Sequence, residues 1–147
     1  MVFVKPVWQT GLGVPPTAYR DIPDLAIMGS PDMPGVFFFD YENGSVVLSP
    51  PVGGTSLCPP MWGAITSIVS EADGGAPQGF INPQIYRLGT LGGIVGFRDV
   101  LLGQNDFNGV TGFPANFGYD QSTGWGTPNV TSFVNSQLFV SVDFLVC

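Results

Sequence analysis

Glycine and proline together make up close to a quarter of this chain, 21 and 14 of its 147 residues. Glycine loosens the backbone, while proline fixes φ and removes a hydrogen-bond donor. No long, uninterrupted helix or strand can run through such a sequence. The two residues are spread throughout without a period, which excludes collagen-like and repeat architectures. What remains is a fold of short elements joined by tight turns.

The elements follow from local pattern. Residues 36–40 are aromatic-rich and read as a strand, Tyr41-Glu42-Asn43-Gly44 as its turn, and 46–48 as the return strand. The clearest helix is expected over about 56–71: Leu57, Met61, Ile65 and Ile68, with Ala64 alongside, recur near helical spacing. Ser56 would cap it, Pro59 and Pro60 fall in its first turn, and Gly74-Gly75 ends it. Shorter helices are expected at about 82–87 and 129–137. Residues 103–128 read as a long Gly/Asn/Asp-rich loop, and loops of that length in compact domains are usually functional. Residues 1–19 form a loop-rich lead-in. The apolar stretch 138–147, interrupted by Asp143, reads as a strand or a docking end.

Composition removes several function classes. Hydrophobic residues make up 44% of the chain and charged residues 10%, which argues against disorder. No apolar run approaches the roughly 20 residues that span a bilayer. With a net charge of −7 and only Lys5, Arg20, Arg87 and Arg98 as basic residues, the chain has nothing to neutralise phosphates, so nucleic-acid binding is excluded. The first eleven residues carry no h-region or small-residue cleavage site and are not a signal peptide. There is no histidine at all, which rules out a Ser-His-Asp triad and His-based zinc sites within the chain. Cys58 and Cys147 lack metal-ligand spacing and read either as two inert thiols or as a disulfide.

Two constellations could carry chemistry. Gly53-Gly54-Thr55-Ser56 places a serine at a helix N-terminus, where free N–H groups favour an alkoxide or oxyanion. The plainer reading makes Ser56 only an N-cap. Phe97-Arg98-Asp99-Val100 and Asn116-Phe117-Gly118-Tyr119-Asp120 set two carboxylates among carbonyl-bearing turns, which suits a hard cation such as Ca²⁺. The plainer reading has both aspartates capping local N–H groups.

In order, the chain shows Arg20-Asp21-Ile22-Pro23-Asp24, Gly53-Gly54-Thr55-Ser56 with Pro60, Asn82-Pro83 with Tyr86, and Phe97-Arg98-Asp99-Val100. Gly118-Tyr119-Asp120 and Thr123-Gly124-Trp125-Gly126-Thr127-Pro128-Asn129 follow. Over about residues 20–135 this order resembles the C-terminal part of the catalytic domain of the sedolisins, the serine-carboxyl peptidases. The resemblance implies an α/β fold, part of a subtilisin-like parallel sheet flanked by helices, with a long calcium-binding loop. It implies that Ser56 is the nucleophile of an acid-acting endopeptidase or tripeptidyl peptidase on peptide or protein substrates. In the family a glutamate replaces histidine as base, an aspartate orients it, and a second aspartate assists the oxyanion. One structural Ca²⁺ is implied, held by Asp99, Val100, Asn116, Gly118 and Asp120, and the product is expected to be secreted.

The chain also departs from the family. No Glu-x-x-x-Asp matches the base pair, nothing acidic precedes Arg20, a glycine is usual at Asn116, and a small residue is usual at Pro59. Residues 136–147 have no counterpart. The expectation is therefore a fragment, a misplaced start or a relic whose partner is the missing N-terminal half of the catalytic domain. The alternative readings are a non-catalytic remnant or binding module with a structural calcium site, and an unrelated β-rich extracellular protein.

Overall fold

The computed structural model describes residues 3–31, 36–91 and 95–142. The elements in chain order are β1 (Phe39–Glu42), β2 (Ser45–Leu48), α1 (Cys58–Ala72), α2 (Asn82–Thr90), β3 (Phe97–Arg98), β4 (Thr127–Pro128) and α3 (Val130–Val142). The chain divides into two compact units, one from Met1–Ala26 and Ile68–Cys147, the other Ile27–Ser67. No helix among the described residues is long and apolar enough to cross a membrane.

In the smaller unit, β1 and β2 form the expected hairpin, with Phe39 opposite Leu48 and Glu42 opposite Ser45. Asn43 and Gly44 take positive φ values of 50° and 83° at the turn, the conformation that an Asn-Gly pair tolerates. The strand begins at Phe39 rather than at residue 36. Helix α1 starts at Cys58, two residues later than expected, with both prolines in the first turn, where a helix has no use for their missing N–H groups. Its buried positions are Ile65 and Val69, while Ile68 is 46% exposed. The helical face is thus one residue round from the one that spacing favoured.

In the larger unit, Gly75 N–H reaches back to the Ser70 carbonyl at 2.7 Å and closes the end of α1, as the Gly-Gly pair implied. Helix α2 runs a turn beyond Arg87 and buries Ile85, Tyr86, Leu88 and Gly89. These pack with Phe97, Tyr119, Trp125 and Phe133 in an aromatic core. Tyr86, Tyr119 and Trp125 lie with ring centroids 5.9 Å apart in each pair.

Two expectations are corrected. No parallel pair occurs among the described residues; both sheets are two-stranded and antiparallel. Parallel strands need a long crossover between neighbours, and the strands here are joined either by a two-residue turn or are themselves two residues long. The stretch expected as a strand from residue 138 is helical through Val142, because nothing between Asn129 and that point stops α3 from propagating. The rest of that stretch, and Cys147 with it, lies outside the described residues.

Candidate functional site

Ser56 sits in the turn leading into α1, in the smaller unit, and is exposed. The turn is held from behind. Gly54 N–H donates to the Gly29 carbonyl at 2.5 Å, and Leu57 N–H closes onto the Gly54 carbonyl at 3.1 Å. Gly53 lies flush against the passing chain: a Cβ there would come within 2.4 Å of the Pro31 nitrogen and 2.6 Å of the Gly29 carbonyl oxygen. The Gly-Gly pair is therefore demanded by close packing as well as by turn geometry. Cys58, a free and half-buried thiol, faces the carbonyls of Met28 at 3.7 Å and of Ile27 and Gly54 at 3.9 Å. Neither the Ser56 hydroxyl nor its amide N–H finds a partner among the described residues. As an N-cap its hydroxyl would accept from the first helical turn, and it does not.

In the larger unit, four of the five residues expected to hold the ion form two hydrogen-bonded pairs, Asp99 with Gly118 and Asp120 with Asn116. Asp99 Oδ2 accepts from Gly118 N–H at 2.7 Å. Asp120 Oδ2 accepts from Asn116 N–H at 2.9 Å, and its Oδ1 accepts from Ser122 N–H, Thr123 N–H and Thr123 Oγ1–H at 2.9, 2.7 and 3.1 Å. Val100 follows Asp99 directly in the chain. Asp99 Oδ1 is buried and finds no hydrogen-bond partner among the described residues. Burial raises the Asp99 carboxyl; Gly118 N–H opposes the shift, the negative charge of Asp120 adds to it, and Val100 N–H opposes it again. Local capping therefore accounts for Asp120 but leaves Asp99 Oδ1 unexplained. A cavity of about 330 Å³ beside Asp120 is lined by Gly13, Asn116, Phe117, Tyr119 and Asp120, among others. Among the described residues no group of three or more His, Cys, Asp or Glu side chains could hold a metal ion.

The remaining motifs converge on a scaffold that sequence reasoning did not assemble. Arg20 pairs with Asp24, both carboxylate oxygens at 2.5 Å from Nη2, and its guanidinium lies 5.2 Å over the Trp8 ring. Asn82 Nδ2 donates to Asp24 Oδ2 at 2.8 Å. Gln9, 1% exposed, donates to the Tyr86 oxygen at 2.7 Å and to the Asp21 carbonyl at 2.8 Å, and accepts from Asp21 N–H at 3.0 Å. Asp21 in turn is paired with Lys5 at 2.7 Å. Burial pushes the Tyr86 phenol up to about 12, against the Gln9 hydrogen bond and with the help of the Asp24 charge. The signals in the sequence were the opposite charges at Arg20 and Asp24 and the Asn82-Pro83 motif with Tyr86; nothing local pointed to Trp8 or Gln9.

No protein-family model matches the chain. It is 31% identical over 134 residues to kumamolisin of Bacillus sp. (strain MN-32), a match covering 86% of this chain and 22% of that protein. It is 32% identical over 134 residues to tripeptidyl-peptidase 1 of Mus musculus, covering 85% and 22% respectively. Pseudomonas sedolisin, a serine-carboxyl proteinase solved with two molecules of pseudo-iodotyrostatin, superposes with a TM-score of 0.72 at 26% identity, over 95% of this chain and 34% of that one. The chain thus spans about a fifth of the length of the curated relatives it matches. Similarity along most of the sequence and a shared α/β fold lead to one conclusion: the chain belongs to the sedolisin family of serine-carboxyl peptidases.

Proposed function

We propose that this chain supplies the nucleophile, Ser56, of a secreted serine-type peptidase that hydrolyses peptide bonds in acid. The observation that carries the reading is the exposed Ser56 at the mouth of α1, whose hydroxyl and amide N–H find no partner among the described residues. The hydroxyl is free to attack a peptide carbonyl, and the N–H to take up the charge that forms on its oxygen. The attack needs a base. The only glutamates are Glu42 and Glu71. Glu42 ends β1 on an exposed hairpin, and Glu71 lies thirteen residues beyond the first residue of α1, roughly 20 Å along its axis. Neither is placed to take the proton, so on this reading the glutamate base comes from outside these 147 residues. A carboxylate with an ordinary pKa near 4.3 still serves as a base in mild acid, where an imidazole would be protonated, which suits the reaction to acid.

The same reading gives the chain one structural Ca²⁺, with the carboxylates of Asp99 and Asp120 and the carbonyls of Val100, Asn116 and Gly118 as donors. The donor chemistry fits: all are hard oxygens. The buried, unpartnered Asp99 Oδ1 and the mutual repulsion of the two carboxylates are what a divalent cation would relieve. Asp120 Oδ2 accepts a single hydrogen bond in the structure and keeps a lone pair for the ion. The ion would neutralise the pair and hold the loop; it has no part in bond cleavage.

The test is complementation. The purified chain alone should not cleave peptides at any pH. Co-expressed with the part of kumamolisin outside the aligned 134 residues, it should gain cleavage that is confined to acid and lost in Ser56→Ala. Cleavage that survives Ser56→Ala, or that peaks in alkali, rules the reading out.

A further inference from the structure

The loop-rich lead-in has no role in the reading above, yet it touches the calcium donors. We propose that residues 11–14 are a positioning element for the metal site, aiming the Gly118 carbonyl at the ion. This rests on the calcium reading of Asp99, Gly118 and Asp120.

The geometry is that of a single peptide plane. Tyr119 N–H donates to the Leu12 carbonyl at 2.9 Å. The Gly118 carbonyl shares that planar unit, and the bond is trans, the chain's one described cis peptide being Ile22–Pro23. With the N–H directed at Leu12, the carbonyl is directed the opposite way, away from the lead-in. On the other side of the residue, Gly118 N–H is held by Asp99 Oδ2 at 2.7 Å. Gly118 is therefore pinned from both flanks, once by a proposed ligand and once by the lead-in.

The contact is possible only without side chains. Gly118 has φ +87°, and a Cβ on it would lie 2.7 Å from the Leu12 carbonyl oxygen. Gly13, also at φ +87°, faces it: a Cβ there would lie 2.1 Å from the Tyr119 carbonyl oxygen and 3.0 Å from the Tyr119 nitrogen. Both obstacles are backbone, so any residue other than glycine at 13 has to displace the Tyr119 backbone, whose nitrogen shares a peptide plane with the Gly118 carbonyl and whose carbonyl leads into Asp120. The lead-in is in turn rigidly seated. Val14 N–H closes the turn onto the Gly11 carbonyl at 3.2 Å, Gly11 packs against the Trp125 ring, and Gln9 is locked between Asp21 and Tyr86. Groups that orient a metal ligand without touching the ion commonly change affinity by roughly 10–100-fold when altered.

Isothermal titration of the calcium-free chain with calcium chloride tests this. Gly13→Ala should weaken calcium binding by roughly 10–100-fold. Gly75→Ala, at the same φ of +87° but with nothing within 4 Å, should cost folding stability and leave the affinity unchanged. Hydrogen exchange on the wild-type chain is a second readout that holds even if Gly13→Ala fails to fold: calcium should slow exchange in a peptide covering 9–15 as well as in 99–120. If the wild-type chain takes up no calcium, the metal reading fails and the positioning role with it. If it binds calcium and Gly13→Ala binds as tightly, or calcium slows 99–120 and leaves 9–15 unchanged, the positioning role is overturned while the metal reading stands.

Discussion

Asp120→Ala should destabilise the chain even when no calcium is present, and by an amount that the hydrogen bonds set. Asp120 is 6% exposed and gathers four donors: the N–H groups of Asn116, Ser122 and Thr123 and the Thr123 hydroxyl, at 2.7–3.1 Å. Hydrogen bonds to a charged acceptor are worth about 1.5–3 kcal/mol each. Asn116 is exposed and Ser122 and Thr123 are half-buried, so water can replace part of what truncation removes. Relief of the repulsion on Asp99 offsets a little more. The net cost should be about 3 kcal/mol, a large share of the roughly 5–15 kcal/mol that holds a domain together. In urea, with a slope of about 1–3 kcal/mol per molar, the midpoint should fall by roughly 1–3 M. The assay is urea unfolding followed by tryptophan fluorescence, in EGTA and again in excess calcium. Calcium should add about 2.7 kcal/mol to the wild type at a hundredfold excess over Kd, and nothing to the variant. A variant within about 0.5 kcal/mol of wild type in EGTA would sink the hydrogen-bond argument, that being the usual scatter of neutral surface changes. A variant that still gains stability from calcium would sink Asp120 as a ligand.

Other consequences can be checked on the same chain. Gly89→Ala should be destabilising by about 1–2 kcal/mol in urea unfolding despite alanine's advantage of about 1 kcal/mol in a helix, because its Cβ would come within 2.3 Å of the Trp125 ring; a stabilised variant would show that the indole moves freely. Tyr86 should ionise late in a spectrophotometric titration. Its folded value of about 12 lies above the ordinary 10.0, so the stability it contributes is complete below 10 and is lost as pH rises through 12. Unfolding at high pH should therefore be delayed in Tyr86→Phe, and a Tyr86 that titrates at its ordinary value would contradict its burial.

Elements whose cause is local could be read from the sequence. The hairpin turn at Asn43-Gly44, the prolines in the first turn of α1 and the Gly74-Gly75 stop each depend on residues a few positions apart, and each appears within three residues of where the pattern puts it. Errors arose where local pattern is ambiguous. Ile68 and Val69 both lie near helical spacing from Ile65, and only packing decides between them. An apolar run such as that from 138 is a strand or a helix depending on whether anything breaks it, and α3 simply continues through Val142. Parallel pairing was inferred from family resemblance, and the described residues hold only antiparallel pairs.

The candidate site was legible as residue types and illegible as an arrangement. Asp99 and Asp120 could be named as candidates because carboxylates beside glycine turns have a recognisable chemistry, and Val100, Asn116 and Gly118 through the family resemblance. That Leu12 and Gly13 lie against Gly118 and Tyr119 could not, since Leu12 acts through its carbonyl and Gly13 through the absence of a side chain. Neither leaves a mark that a reading by side-chain chemistry would catch. The same holds for Gln9, which meets Tyr86 across 77 positions, and Gln121, which meets Asp21 across 100. Pairings this distant are set by the closure of the whole unit, and a glutamine in a loop carries no sign of being buried. The lead-in looked like a connector for that reason, although its buried Gln9 is tied to the core and its turn at 11–14 to the backbone of Gly118 and Tyr119.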